Sequence, residues 1–88
     1  MRTIYKYLLI VDASQFLSMP TGAEILCVQT QHGEPHLWAV VDTDQPQEER
    51  EIIMRGTGHP LNGQEGRYIG TVQTHGGGLV WHLFERQD

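Results

Sequence analysis

The segment Arg55–Gly63 reads RGTGHPLNG, and its residue types are the ones a small ligand site uses. Gly56 and Gly58 free the backbone to aim N–H groups into one concavity, a nest for anionic oxygens. Thr57 adds a hydroxyl, and His59 adds a donor or a flat ring for stacking. Arg55 and Arg67 stand at the two strand ends that bracket the loop and can supply charge to a phosphate. Pro60 would stiffen the loop and limit the entropy lost on binding. The same composition also suits a plain connection that needs glycine to turn. GTGHP is not a phosphate-binding P-loop, since it lacks the lysine and the following helix.

Other chemistry-bearing residues sort against catalysis. Cys27 falls in mid-strand among apolar residues, the usual place of an inert thiol. The five histidines, His32, His36, His59, His75 and His82, lack helical i, i+4 spacing and a cysteine partner, so no zinc site is expected. The carboxylates of TDQPQEEREI have no framework to fix their separation and read as a solvated loop. No cofactor and no enzymatic activity are expected. Lys6 shares a strand face with Ile4, Leu8 and Ile10, where it either snorkels to solvent or meets an anion. Tyr5, Tyr7, Trp38, Tyr68 and Trp81 belong mostly to core or subunit interface. A ring left at a pocket mouth would stack a nucleobase, and Trp38 is the candidate. The expected ligand set is therefore Lys6, Trp38, Arg55, Gly56, Thr57, Gly58, His59 and Arg67.

These residues need a β framework. Strands are expected at Thr3–Val11, Glu24–Gln31, His36–Asp42, Arg50–Arg55, Arg67–Gln73 and over LVWHLFE. HGEP makes a tight turn between the second and third. DASQFLSMPTGAE reads as an excursion with at most one helical turn, stopped by Pro20 and Gly22 and pinned by Phe16, Leu17 and Met19. The fold class is all-β: about six short antiparallel strands in a small sandwich or barrel-like meander. Strands apolar on both faces imply that part of one face meets another copy of the chain.

The bounds agree. With 88 residues, one domain spanning 1–88 is expected, with a thin core. A formal net charge of −5 argues against a general binder of long nucleic acid, which needs a basic footprint. One cysteine suits a reducing cytosol, the apolar run of MRTIYKYLLIVD is too interrupted for a signal peptide, and no run spans a membrane.

The succession TIYKY, MPTGAEIL, LWAVVD, GTGHP, YIGTVQ and LVWHLFE covers nearly the whole chain and resembles a family of small phage-encoded proteins. Such proteins often counter bacterial defence. In type the chain is similar to anti-CBASS sponges, oligomers that sequester cyclic-nucleotide immune signals without cleaving them. The resemblance implies a non-enzymatic immune-evasion protein in the host cytoplasm, with a cyclic nucleotide and its own copies as partners. It carries no binding residue across. The alternative is an anti-CRISPR-like inhibitor whose acidic surface mimics nucleic acid on a host protein. A third reading, a virion structural protein, predicts large particles and no ligand.

Overall fold

Alternation sets the architecture. In Glu34–Asp42 (β4) Leu37, Ala39 and Val41 are buried, while Trp38, Val40 and Asp42 stay half-buried on the opposite face. The computed structural model describes residues 1–87. The strands are β1 (Arg2–Leu8), β2 (Ser14–Pro20), β3 (Glu24–Gln31), β4, β5 (Gln47–Gly56), β6 (Arg67–Thr74) and β7 (Leu79–Glu85), with one 3-10 turn at His75–Gly77. They form two antiparallel sheets, ordered β1-β4-β3 and β2-β5-β7-β6. The all-β class is as expected, and of the two shapes left open the sandwich is the one adopted.

The strand not anticipated is β2. Its residues pair with β5 from Ser14↔Ile53 to Pro20↔Gln47, where a helical turn was expected. Leu17 and Met19 alternate inward while Phe16 and Ser18 alternate outward, and Met19 is fully buried. Pro20 closes this edge strand, where a missing N–H breaks no ladder bond, so it does not exclude a strand. Pairing with β2 also draws Gln47–Glu49 of the expected acidic loop into β5. β1 stops at Leu8, because Leu9 turns inward and its N–H donates to the Pro35 carbonyl at 3.0 Å.

Between the sheets lie Leu9, Met19, Ile25, Val28, Leu37, Val41, Ile52, Met54, Val72 and Leu83. The edges β3 and β6 come together across the sandwich. A Cβ on Gly70 would lie 2.4 Å from Cγ2 of Val28, and the Thr30 hydroxyl donates to the Gln73 carbonyl at 2.5 Å. Each sheet covers the inner face of the other within one chain. The accessible surface, 5366 Å², is close to the roughly 5,200 Å² expected of a lone 10 kDa protein. The sandwich thus needs no second copy to cover its inner faces. Its outer faces still expose Ile4, Leu8, Phe16 and Tyr68.

One connection shapes the site. Both β5 and β6 run antiparallel to β7, so they are parallel to each other. Thr57–Gly66 must therefore travel back along the length of β7. Glu65 holds this crossover: its buried carboxylate accepts the N–H groups of Asn62 at 2.8 Å and Gly63 at 3.0 Å and faces Arg55 Nε at 4.0 Å. Those backbone donors, that of Asn62 first, together with Arg55, keep the Glu65 carboxyl below the usual range.

Candidate functional site

The loop begins as a turn whose geometry explains its composition. The His59 N–H donates to the Gly56 carbonyl at 3.0 Å, and Gly58 takes φ +89°, as the third position of a type II turn requires. The His59 ring folds back over Gly56. Its Nδ1 accepts the Gly56 N–H at 3.1 Å, so a neutral ring carries its proton on Nε2. A Cβ on Gly56 would sit 2.8 Å from Cε1 of that ring, so a side chain here would have to push the ring aside.

The ring forms one wall of a cavity of about 470 Å³ at the end of the sandwich. Val11, Ala13, Met54, Pro60 and Trp81 supply its apolar surface, and Asp12, Arg55 and His59 its polar groups. The His59 and Trp81 rings meet edge to face, with centroids 6.3 Å apart. Trp81 is fixed from behind, because its indole N–H donates to the Thr74 hydroxyl at 3.0 Å and Thr74 is buried. The His75 ring reaches the same hydroxyl at 3.2 Å. Two preset rings, a mostly apolar wall and a few polar groups are features that small-molecule sites share.

Arg55 is largely committed. One guanidinium nitrogen, Nη1, donates to the carbonyls of Ala13 and Met54, both at 3.0 Å, and Glu65 opposes its charge. Thr57 Oγ1 lies 2.8 Å from His82 Nε2. Among the described residues no group of three or more His, Cys, Asp or Glu side chains is placed to hold a metal ion.

The whole chain, residues 1–88, matches the family model described as domain of unknown function DUF7352. The chain belongs to the DUF7352 family. Comparison with curated proteins and with solved structures gives no match.

Of the eight expected ligand residues of this DUF7352 chain, Arg55, Gly56, Thr57, Gly58 and His59 gather at the loop end. Lys6 and Trp38 do not join them. They pair with each other on the outer face of the three-stranded sheet, where Lys6 Nζ donates to Gln31 Oε1 at 2.7 Å. The Trp38 ring packs against His36 with centroids 5.8 Å apart. Arg67 stands in the row of Glu85, whereas Gly56 stands in the row of Trp81, so the two arginines do not bracket one pocket. Arg67 Nη2 donates to Glu85 Oε1 at 3.2 Å, and Arg50 Nε donates to the other oxygen. The backbone nest is not formed either. The N–H groups of Gly56, Thr57 and His59 go to His59 Nδ1, the Val80 carbonyl and the Gly56 carbonyl. Missed from the sequence were Val11, Asp12, Ala13, Met54 and, above all, Trp81. Trp81 carried a signal as a polar-edged ring, but its strand position read as core.

Proposed function

We propose that this DUF7352 domain is a non-enzymatic binding module that captures a nucleobase-bearing signal in the loop-end cavity and returns it unchanged. One observation carries the reading: the His59 ring is seated on Gly56 and the Trp81 ring is anchored by Thr74, so both cavity rings are set before a ligand arrives. Preset rings lower the ordering cost of binding. A flat base supplies the stacking face they would meet, and a volume near 470 Å³ suits one base with its sugar.

The charge balance specifies the orientation. Arg55 is opposed by Glu65, and Asp12 lines the same cavity, so the site offers a phosphate little attraction. The base enters and the phosphates stay outside. A cyclic dinucleotide carries two phosphates, and Lys6 and Arg67 lie elsewhere on the chain. The sponge reading, in which the protein sequesters an immune signal in the host cytoplasm, therefore requires a second copy to bring a further cation to the mouth. Calorimetry with cyclic dinucleotides, followed by chromatography of the recovered ligand, tests this. Binding that weakens on His59→Ala, with intact ligand recovered, is expected. Hydrolysed product in proportion to protein contradicts it.

A second reading has its own observation. Phe16 is 63% exposed on an edge strand, opposite Glu51 and beside Glu49. An apolar knob among carboxylates suits the inhibitor that occupies a basic groove on a host protein. That reading predicts a thermal shift with the protein target alone, abolished by Phe16→Ser, and none with nucleotides.

A further inference from the structure

The outer face of the four-stranded sheet carries a hydrogen-bond chain that ends on the ligand loop. Thr57 Oγ1 lies 2.8 Å from His82 Nε2, His82 Nδ1 lies 3.0 Å from Thr71 Oγ1, and Thr71 Oγ1 lies 2.5 Å from the Tyr68 hydroxyl. The local backbone explains why four residues from three segments meet. His82 is the cross-strand partner of both Arg55 and Thr71, and Thr57 follows Arg55 by two residues on the same face. Tyr68 and Thr71 would face opposite ways in a regular strand. The register shift between Tyr68 and Gly70 adds one residue and brings them to one side.

Each hydroxyl has one proton and a neutral imidazole has one N–H, so the chain has two complete arrangements. In the first, Tyr68 donates to Thr71, Thr71 donates to Nδ1, Nε2–H donates to Thr57, and the Thr57 proton points outward. In the second, Thr57 donates to Nε2, Nδ1–H donates to Thr71, Thr71 donates to Tyr68, and the Tyr68 proton points outward. Exchange needs three hydroxyl rotations and transfer of the imidazole proton from one nitrogen to the other through solvent, which reaches this face. No net charge is created, and every member remains bonded in both arrangements.

Thr57 lines a cleft of about 210 Å³ that shares His59 and Trp81 with the main cavity. We propose that the Tyr68–Thr71–His82 chain makes Thr57 an adjustable contact, a donor to a ligand carbonyl and an acceptor from a ligand amine. The domain then takes 6-oxo and 6-amino purines alike. His82, Thr71 and Tyr68 act as positioning residues, because they reach the ligand only through Thr57. The inference rests on the nucleotide-binding reading.

The test is nitrogen NMR of His82 at pH 8, with guanosine 5′-monophosphate and adenosine 5′-monophosphate as probes. Both should bind within about threefold of each other, since the same hydroxyl serves each base. The proton should sit on Nε2 with the guanine nucleotide and on Nδ1 with the adenine nucleotide. Thr57→Val should weaken both by about fivefold and remove the tautomer response. Thr57→Ser keeps the hydroxyl and should keep the response, which guards against misfolding of the valine variant. The same tautomer in both complexes overturns the relay, as does an unaffected Thr57→Val protein, while nucleotide binding still stands. Absence of binding by either probe overturns the relay and the nucleotide reading together.

Discussion

At the residue scale, Gly56 shows how one absent methyl group builds the site. The His59 ring occupies the space a Cβ would take, 2.8 Å from Cε1. Gly56→Ala should displace the ring and lose its bond to the Gly56 N–H, costing on the order of 1 kcal/mol of ligand affinity. Circular dichroism melting should show a smaller change, since the ring is the movable partner. An equal loss of affinity in Gly56→Ala and His59→Ala, with no further loss in the double variant, is the expected pattern in calorimetry.

Glu85 is the matching case for stability. Burial pushes its carboxyl up, but the hydrogen bond and charge of Arg50, then those of Arg67, outweigh this and hold it below the usual range. Folded Glu85 thus binds fewer protons than the unfolded chain does, and stability rises with pH through that interval. The contribution is complete above the unfolded value, near 4.5, and is lost as pH falls through the lower folded value. Glu85→Gln should destabilise by about 1–2 kcal/mol at neutral pH, because it replaces the charged partner of Arg50 and Arg67 with a neutral acceptor while Arg50 keeps Glu48 and the Ala23 carbonyl. It should also flatten the acid limb of the stability curve measured in urea.

At the element scale, β2 carries the main prediction. Met19 is fully buried on a strand where Leu17, two residues back, and Gln15, four back, share its face. Met19→Ala should cost about 2–5 kcal/mol. Ser18→Ala, on the outer face, should stay within about 0.5 kcal/mol. A helical turn would not produce that contrast between adjacent residues, and chemical denaturation measures it directly.

The same strand marks what could be read from the sequence. The bounds of β3 and β7 were legible because short apolar runs are set off by clear turn residues, His32–Gly33 after β3 and the glycines before β7. In β2, Pro20 and Gly22 masked a short alternating run, and the Gln47–Glu49 part of its partner looked like an acidic loop. Its polar residues face outward or pair with Arg50 and Arg86, which leaves the backbone free to form a ladder. Of the candidate site, GTGHP was legible from residue chemistry. The displacement of Arg67 was not, because it follows from β7 inserting between β5 and β6. That pairing is nonlocal, and no spacing in the loop encodes it. Trp81 was hidden for a related reason, since only the sandwich end shows which aromatic meets His59.

At the scale of the whole molecule, a thin body of 40 × 31 × 16 Å places its two tryptophans in separate surroundings. Trp81 stands at the loop-end cavity, while Trp38 lies on the outer face of the other sheet, on β4 between Cys27 of β3 and Lys6 of β1. Ile4 and Leu8 remain exposed on that same outer face. If the protein pairs with its own copy there, light scattering should report a larger species, and Leu8→Glu should return it to a monomer.

The two indole N–H resonances give the most direct test of ligand capture at the loop end. A cyclic dinucleotide titrated into nitrogen-labelled protein should shift the Trp81 indole signal in a saturable way, since Trp81 lines the cavity. The Trp38 signal should stay in place or move at a separate, ligand-independent step with protein concentration. His59→Ala should weaken the Trp81 response by about fivefold or more. A saturable shift confined to Trp38, or no shift of Trp81 at millimolar ligand, would contradict binding in the cavity between His59 and Trp81.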